Sequence, residues 1–310
     1  MLFAWLAFSV YQEIALQKDL SEYLHHLYYT IDSTALLLLL LVVLLMLIQW
    51  MFEAVKWRFL LKQHIDLSII NATKMIFTGI SFSIATPNRF GEFVGRILHL
   101  PQDLRLQAIG YTFIGNFAQL IVTFIAGSIG LGLITDDLLK ENLSQFQNLL
   151  YLLTILAPAL SLLFLFIYFK AGVFFKWVSR VKYFKRWQAK LIQLSQLSST
   201  PLLNILFWSF LRYAIFLLQY WLIFKAIGVE LNFQQTAVAI STVLLLLSII
   251  PSISLVELGL RWQISILVFA PFTGNVFGLT MGITLIWLLN MIVPAGIGSI
   301  LVLGRNFSKN

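Results

Sequence analysis

The stretch SIATPNRFGEFVGR (83–96) returns in altered form as SIIPSISLVELGLR (248–261). Each copy begins with Ser-Ile and meets a proline three or four residues later. A glutamate follows the proline after five or six residues, and an arginine follows the glutamate after four. Pro87, Glu92 and Arg96 therefore correspond to Pro251, Glu257 and Arg261. Proline withdraws a backbone donor and disfavours helix in the residue before it, so each copy reads as a helix that stops and begins again. Glutamate at i and arginine at i+4 fall on one face of the second helix, in the favourable order.

The surroundings make these charges expensive. Of 310 residues, 60% are hydrophobic and only 11% charged, with a mean hydropathy of +0.89. Soluble domains sit at about half apolar and a quarter charged. The run STALLLLLLVVLLMLIQWMF (33–52) exceeds the roughly 18 apolar residues that mark a spanning helix. The chain is read as an all-α polytopic membrane protein. Spanning helices are expected near 1–17, 33–52, 110–134, 148–169, 201–224 and 276–303. Pro158 and Pro294 fall inside two of them, as membrane helices tolerate. The opening MLFAWLAFSVYQEIALQ lacks a basic n-region and a small-x-small cleavage site, so it is expected to be a first membrane helix rather than a signal peptide. Two apolar segments remain, 67–100 and 236–270, and these hold the two proline motifs.

Basic residues orient the spans. The 170–200 loop carries Lys170, Lys176, Arg180, Lys182, Lys185, Arg186 and Lys190 without an acid, and is expected to be cytoplasmic. The 53–66 loop, with Lys56, Arg58 and Lys62, joins it; the acidic 18–32 and 135–147 loops face outward. These assignments alternate only if each proline segment enters and leaves on one side. The expectation is two re-entrant or broken-helix hairpins, the first open to the cytoplasm and the second to the outside. The flanking helices then form an inverted-topology repeat within a single membrane domain, 1–310. Repeat one covers about 33–134 and repeat two about 201–303, joined through the basic linker 170–200. Many secondary transporters share this plan and bind substrate near the midplane, where broken helices meet. In the linker, Phe174, Phe175, Trp177, Tyr183, Phe184 and Trp187 alternate with the basic residues, suiting an amphipathic surface helix, a topological anchor or a contact with anionic lipid. A membrane surface accounts for the net charge of +8, and no nucleic-acid partner is expected.

An uncompensated charge at the bilayer centre costs about 2.5–3.5 kcal/mol, so three in one hairpin cost on the order of 8–10 kcal/mol. Arg89, Glu92 and Arg96 must face protein or a wet cavity. Two readings stand: structural pairs that lock the hairpin tips, or a site for a polar headgroup. Lys74, Arg89, Arg96, Arg212 and Arg261 oppose Glu92 and Glu257, five cations against two acids. The excess points to a phosphate, which arginine grips with a planar fork and to which a helix beginning after Pro87 would offer N–H groups. Lys74 has the alternative of snorkelling to the surface, and Arg212 that of pairing with Glu257. Ser83, Thr86 and Asn88, with Thr78, Ser81, Ser248, Ser252 and Ser254, either finish the headgroup's hydrogen bonds or pack helices. There is no cysteine, and His25, His26, His64 and His99 lack ligand spacing, so no metal or other cofactor is expected. No GxxxxGK[ST] loop for ATP occurs. The glycines at 274, 278 and 282 suit close helix packing.

KWRFLL (56–61), TPNRFGEFVGR (86–96) and the second proline motif with Gly259 and Arg261 resemble the lysylphosphatidylglycerol synthase transmembrane-region family, over about residues 30–303. In that family an acid usually follows the second arginine; here Trp262 takes the place and the acid is Glu257. The resemblance implies a bacterial inner-membrane protein that binds or moves a phospholipid or lipid-linked substrate, with Arg89, Glu92 and Arg96 as functional residues. It also implies a separate lipid-modifying enzyme as a partner, since fused relatives carry an aminoacyl-transferase domain. The leading expectation is a lipid flippase and not an enzyme. The alternatives are a non-transporting membrane partner of a lipid- or glycan-modifying enzyme, and an intramembrane lipid-phosphate enzyme using Glu92 or Glu257 as base.

Overall fold

The computed structural model describes residues 32–84, 86, 89–140, 144–181, 188, 192, 194, 197–252 and 254–307. The helix expected at 1–17 lies outside the described residues. α1 (Ser33–Leu61) starts where Asp32 accepts the Ala35 backbone N–H at 2.8 Å, a contact that holds the Asp32 carboxyl below its ordinary value. α2 (Ile69–Ser83) is capped by Ser68, whose Oγ accepts from the Asn71 N–H. There follow α3 (Gly91–Ile97), α4 (Arg105–Lys140), α5 (Gln147–Phe169), α6 (Ala171–Val178) and α7 (Ser199–Ala226). α8 (Phe233–Ile249) opens with a reciprocal Asn232–Gln235 capping box. α9 (Ser254–Phe269), α10 (Val276–Trp287) and α11 (Val293–Phe307) complete the described chain.

Five helical runs among the described residues are long and apolar enough to cross a membrane: α1, α4, α5, α7 and Val276–Gly304. They coincide with five of the six expected spans. Two run further than expected. α1 continues to Leu61, so Lys56 belongs to a helix and not to a loop. α4 takes in Asp136, Asp137 and Lys140; its 36 residues reach about 54 Å, well beyond the roughly 30 Å hydrocarbon core. Outward faces such as Leu36, Leu37, Leu40 and Leu44 on α1, or Ile155, Leu162 and Phe166 on α5, are exposed. In water such a surface would aggregate; against acyl chains it is the favourable one. This is an integral membrane protein.

Pro294 divides the last span. It has no N–H to donate to the Asn290 carbonyl, and the turn just before it, Leu288–Ile292, opens into a π-helix that absorbs the missing bond. Pro158 sits inside α5 without such a break.

Both proline segments form helix, break, helix: α2 with α3, and α8 with α9. At the second, Ile250 turns extended just before Pro251. Within each segment the two helices pack on each other, while α1 lies along α7, α4 along α8, and α11 along α2. The first pair closes through glycine. A Cβ on Gly95 would stand 2.5 Å from the Thr78 carbonyl oxygen and 2.6 Å from Gly79 Cα, and one on Gly91 would collide with the Phe82 carbonyl. Gly95→Val is expected to lower stability by about 1–3 kcal/mol, read as a lower Tm in detergent; an unchanged Tm would mean the pair is looser than described.

One end of the molecule is gathered by the His64–Tyr111 hydrogen bond, the Tyr168 hydroxyl donating to the Leu202 carbonyl and the Phe113–Phe174 stack. It collects Arg58, Lys62, Arg105, Lys170, Lys176 and Arg180, against Asp66 and Asp103. The linker helix α6 sits here with Phe175 buried and Trp177 exposed; Lys182, Tyr183, Phe184, Lys185, Arg186, Trp187 and Lys190 lie outside the described residues.

Candidate functional site

Two charge clusters are built on the broken helices. The first centres on Glu53, 1% exposed. Gln49, Glu53, Lys56, Trp57 and Leu60 recur at helical spacing and form the buried face of α1. Glu53 Oε2 meets Lys56 Nζ at 2.7 Å and Arg212 Nη1 at 2.9 Å, while Oε1 accepts from Arg96 Nη2 at 2.8 Å. Arg96 also pairs with Glu92 one turn earlier on α3. Asn116 Nδ2 donates to the far oxygen of Glu92 at 3.4 Å. Lys56 Nζ further donates to the Gly115 carbonyl and to Ser209 Oγ. The guanidiniums lie over indole rings, Arg96 over Trp57 at 5.2 Å and Arg212 over Trp50 at 4.6 Å. Ions taken from water cost several kcal/mol each unless paired in good geometry. Here α1, α3, α4 and α7 contribute partners to one interlocked set.

The second cluster joins the two proline segments. Arg261 Nη2 reaches Glu257 Oε1 at 2.6 Å, and its Nη1 donates to the Tyr220 hydroxyl at 3.0 Å. From the first segment, Arg89 Nη2 donates to both Glu257 oxygens, at 3.1 and 3.2 Å. Arg89 holds φ 59, a left-handed conformation that disfavours any residue with a Cβ by roughly 1–2 kcal/mol. The Arg89 side chain is 45% exposed, against 3% for Arg96. The first cluster is buried at Glu53, Lys56 and Arg96, with Glu92 and Arg212 partly exposed at its edge; in the second, Arg89 forms an open rim.

Arg89, Glu92, Arg96, Arg212, Glu257 and Arg261 thus all enter one of the two clusters. Arg212 corrects one expectation: its partner is Glu53, across the α1–α7 interface, and not Glu257. The charge count changes with it. Glu53 answers Lys56, Arg96 and Arg212 together, so the chain itself supplies an anion for cations expected to need one. Five cations, Lys56, Arg89, Arg96, Arg212 and Arg261, face three carboxylates, and the excess falls to +2. Lys74 stands exposed on α2, outside both clusters, and makes no ion pair among the described residues.

The expected helix start after Pro87 lies later, at Gly91. Thr86 Oγ1 occupies the Gly91 N–H at 2.7 Å, so that donor already has an acceptor within the chain. Ser83 Oγ is turned back to its own helix, donating to the Ile80 carbonyl, and Ser248 does the same to Leu245. Ser81 meets Ser299 and Thr78 meets His99. Asn88 and Pro87 lie outside the described residues, as does the Ser254 side chain.

Glu53, Lys56, Asn116 and Tyr220 are the members that the sequence reading missed. Glu53 and Lys56 had a signal: with Gln49 and Leu60 they continue the helical spacing of the buried face past residue 52, where the apolar run stops. Asn116 and Tyr220 had none, since a single polar group in a long apolar helix marks no particular neighbour.

Residues 23–298 match the family described as lysylphosphatidylglycerol synthase TM region. The chain belongs to that family. No curated protein and no solved structure matches it. For this member of the lysylphosphatidylglycerol synthase TM region family, the first proline motif supplies Arg89 to one cluster and Glu92 with Arg96 to the other. In the second motif Arg261 is engaged by Glu257, one helical turn earlier.

Proposed function

We propose that the chain is a lipid flippase whose headgroup site is the junction of Arg89, Glu257 and Arg261. A lipid phosphate enters at the open rim and exchanges places with the Glu257 carboxylate on the two guanidiniums. Its acyl chains stay in the bilayer, and no bond of the lipid changes. The largely buried Glu53 cluster, with Glu92 and Arg96, holds the hairpins in register around this site. The observation that carries the reading is the Arg89–Glu257 pair. It links the two proline segments, its Arg89 side is half-exposed, and Arg89 meets Glu257 from a left-handed backbone conformation.

Further support comes from the packing exchange, in which α4 lies on α8 and α11 on α2, with α1 and α7 between. Each half lends its last helix to the other half's broken pair, as expected of two inverted repeats with re-entrant hairpins. The basic end of the molecule would then face the cytoplasm of a bacterial inner membrane. An inside-negative potential favours outward movement of an anion by about 2.3 kcal/mol per charge per 100 mV.

The test uses purified protein in vesicles bearing fluorescent phospholipids, with leaflet exchange measured by quenching from outside. Arg89→Ala should slow exchange of an anionic lipid about tenfold while its melting curve stays near wild type, because the residue is half-exposed. Exchange at the wild-type rate would remove Arg89 from the site. The family description, which names the membrane region of a synthase, favours a second reading, a membrane partner for a separate lipid-modifying enzyme. In that case the purified wild-type chain moves no lipid on its own.

A further inference from the structure

At the basic end, one turn beyond the Glu53 cluster, a cleft of ≈ 310 Å³ opens between the C-terminal end of α1 and the N-terminal ends of α4 and α7. Phe59, Leu60, Leu197 and Pro201 make it chiefly apolar, Tyr111 forms part of the wall, and Lys62 stands in the lining. The volume is at the lower end of ligand pockets, roughly 300–1,000 Å³, which suits one flexible chain better than a bulky ring system. The cleft is separate from the Arg89 junction. Leu60 divides it from the buried charges: a Cβ on Gly115 would touch both Lys56 and Leu60.

The electrostatics around the cleft choose its occupant. Lys62 is exposed and makes no ion pair among the described residues, whereas the nearest acid in sequence, Asp66, is taken by Arg58 at 3.4 Å. The whole end is basic, and exposed apolar side chains on the neighbouring elements, Phe113 on α4 and Trp177 on α6, place it against acyl chains rather than water alone. An apolar slot with an exposed ammonium at its rim matches a molecule with an oily tail and an anionic head, and lysine supplies a point charge suited to phosphate.

We propose that this cleft binds one acyl chain of an anionic glycerophospholipid from the adjoining leaflet, with the lipid phosphate on Lys62. The site does not require that the chain move lipid, and its test reads binding alone. The full chain is reconstituted in phosphatidylcholine vesicles containing a small fraction of phosphatidylglycerol that carries a diazirine on one acyl chain, irradiated, and mapped by peptide mass spectrometry. Adducts are expected on Phe59, Leu60 and Leu197, about threefold more than with a diazirine phosphatidylcholine at the same fraction. Lys62→Gln should lower phosphatidylglycerol labelling to the phosphatidylcholine level, and Lys62→Arg should keep it. Leu197→Trp, which fills the slot, should remove labelling by both lipids. Because Lys62 is exposed, its variants should fold, and their melting curves verify this. Equal labelling by the two lipids in the wild type, wild-type labelling of Lys62→Gln, or adducts spread over the outer faces of α1 and α5 would each overturn the site.

Discussion

Glu53→Gln is expected to cause the largest stability loss of any single replacement in the chain. Glutamine keeps the volume and removes the charge. Lys56, Arg96 and Arg212 then lose their shared carboxylate, and only Glu92, already paired with Arg96, is left to compensate. Breaking a buried pair by removing one partner costs about 3–5 kcal/mol, a large part of a typical folding free energy of about 5–15 kcal/mol. The measurement is thermal unfolding in detergent, followed by intrinsic tryptophan fluorescence, together with the yield of monodisperse protein. Lys56→Met is the contrast: it takes away one cation and leaves Glu53 with two guanidiniums, so its loss should be clearly smaller. Equal effects of the two variants would mean that packing at this interface matters and the charge does not.

Glu257→Gln is expected to slow transport as much as Arg89→Ala does, by the opposite route. In the proposed cycle the Glu257 carboxylate competes with the incoming phosphate for Arg89 and Arg261. Without it a headgroup binds more tightly and leaves more slowly. Exchange of an anionic lipid should fall about tenfold, which corresponds to about 1.4 kcal/mol. The amount of anionic lipid retained through purification, quantified by mass spectrometry, should rise. The two readouts must move in opposite directions. A variant in which exchange falls and retained lipid falls as well would identify Glu257 as a plain ligand rather than a competitor. Wild-type values of both would remove it from the site.

Much of the architecture was legible in the residues, and the reason is that bilayer constraints act locally. A run of some twenty apolar residues can satisfy its backbone in lipid only as a helix, so α1, α5 and α7 follow from 33–52, 148–169 and 201–224. Proline acts within one turn of itself, so the breaks between α2 and α3 and between α8 and α9 were placed near 87 and 251. The overrun of α1 to Leu61 was harder to see. Glu53, Lys56 and Arg58 look like a loop as long as hydropathy alone is followed. They belong to a helix because its inner face meets arginines from elsewhere, which the apolar pattern does not record. The π turn before Pro294 is of the same kind: the proline announces a missing bond, and the packing of Gln49 against Asn290 accompanies the way it is accommodated.

By itself, then, the sequence determined which segments are helical, where two of them break, and which charges sit together one turn apart. Glu92 with Arg96 and Glu257 with Arg261 follow from the pitch of a helix. Only the tertiary structure decided how those pairs are completed. Arg96 reaches Glu53 across 43 positions, Arg212 reaches it across 159, and Arg89 crosses 168 to Glu257. A charge in an apolar helix states that it needs a partner. Which helix face supplies one depends on how several helices pack at once, and that choice gives Arg96 and Arg212 to Glu53 and leaves Arg89, which shares Glu257 with Arg261, at the surface.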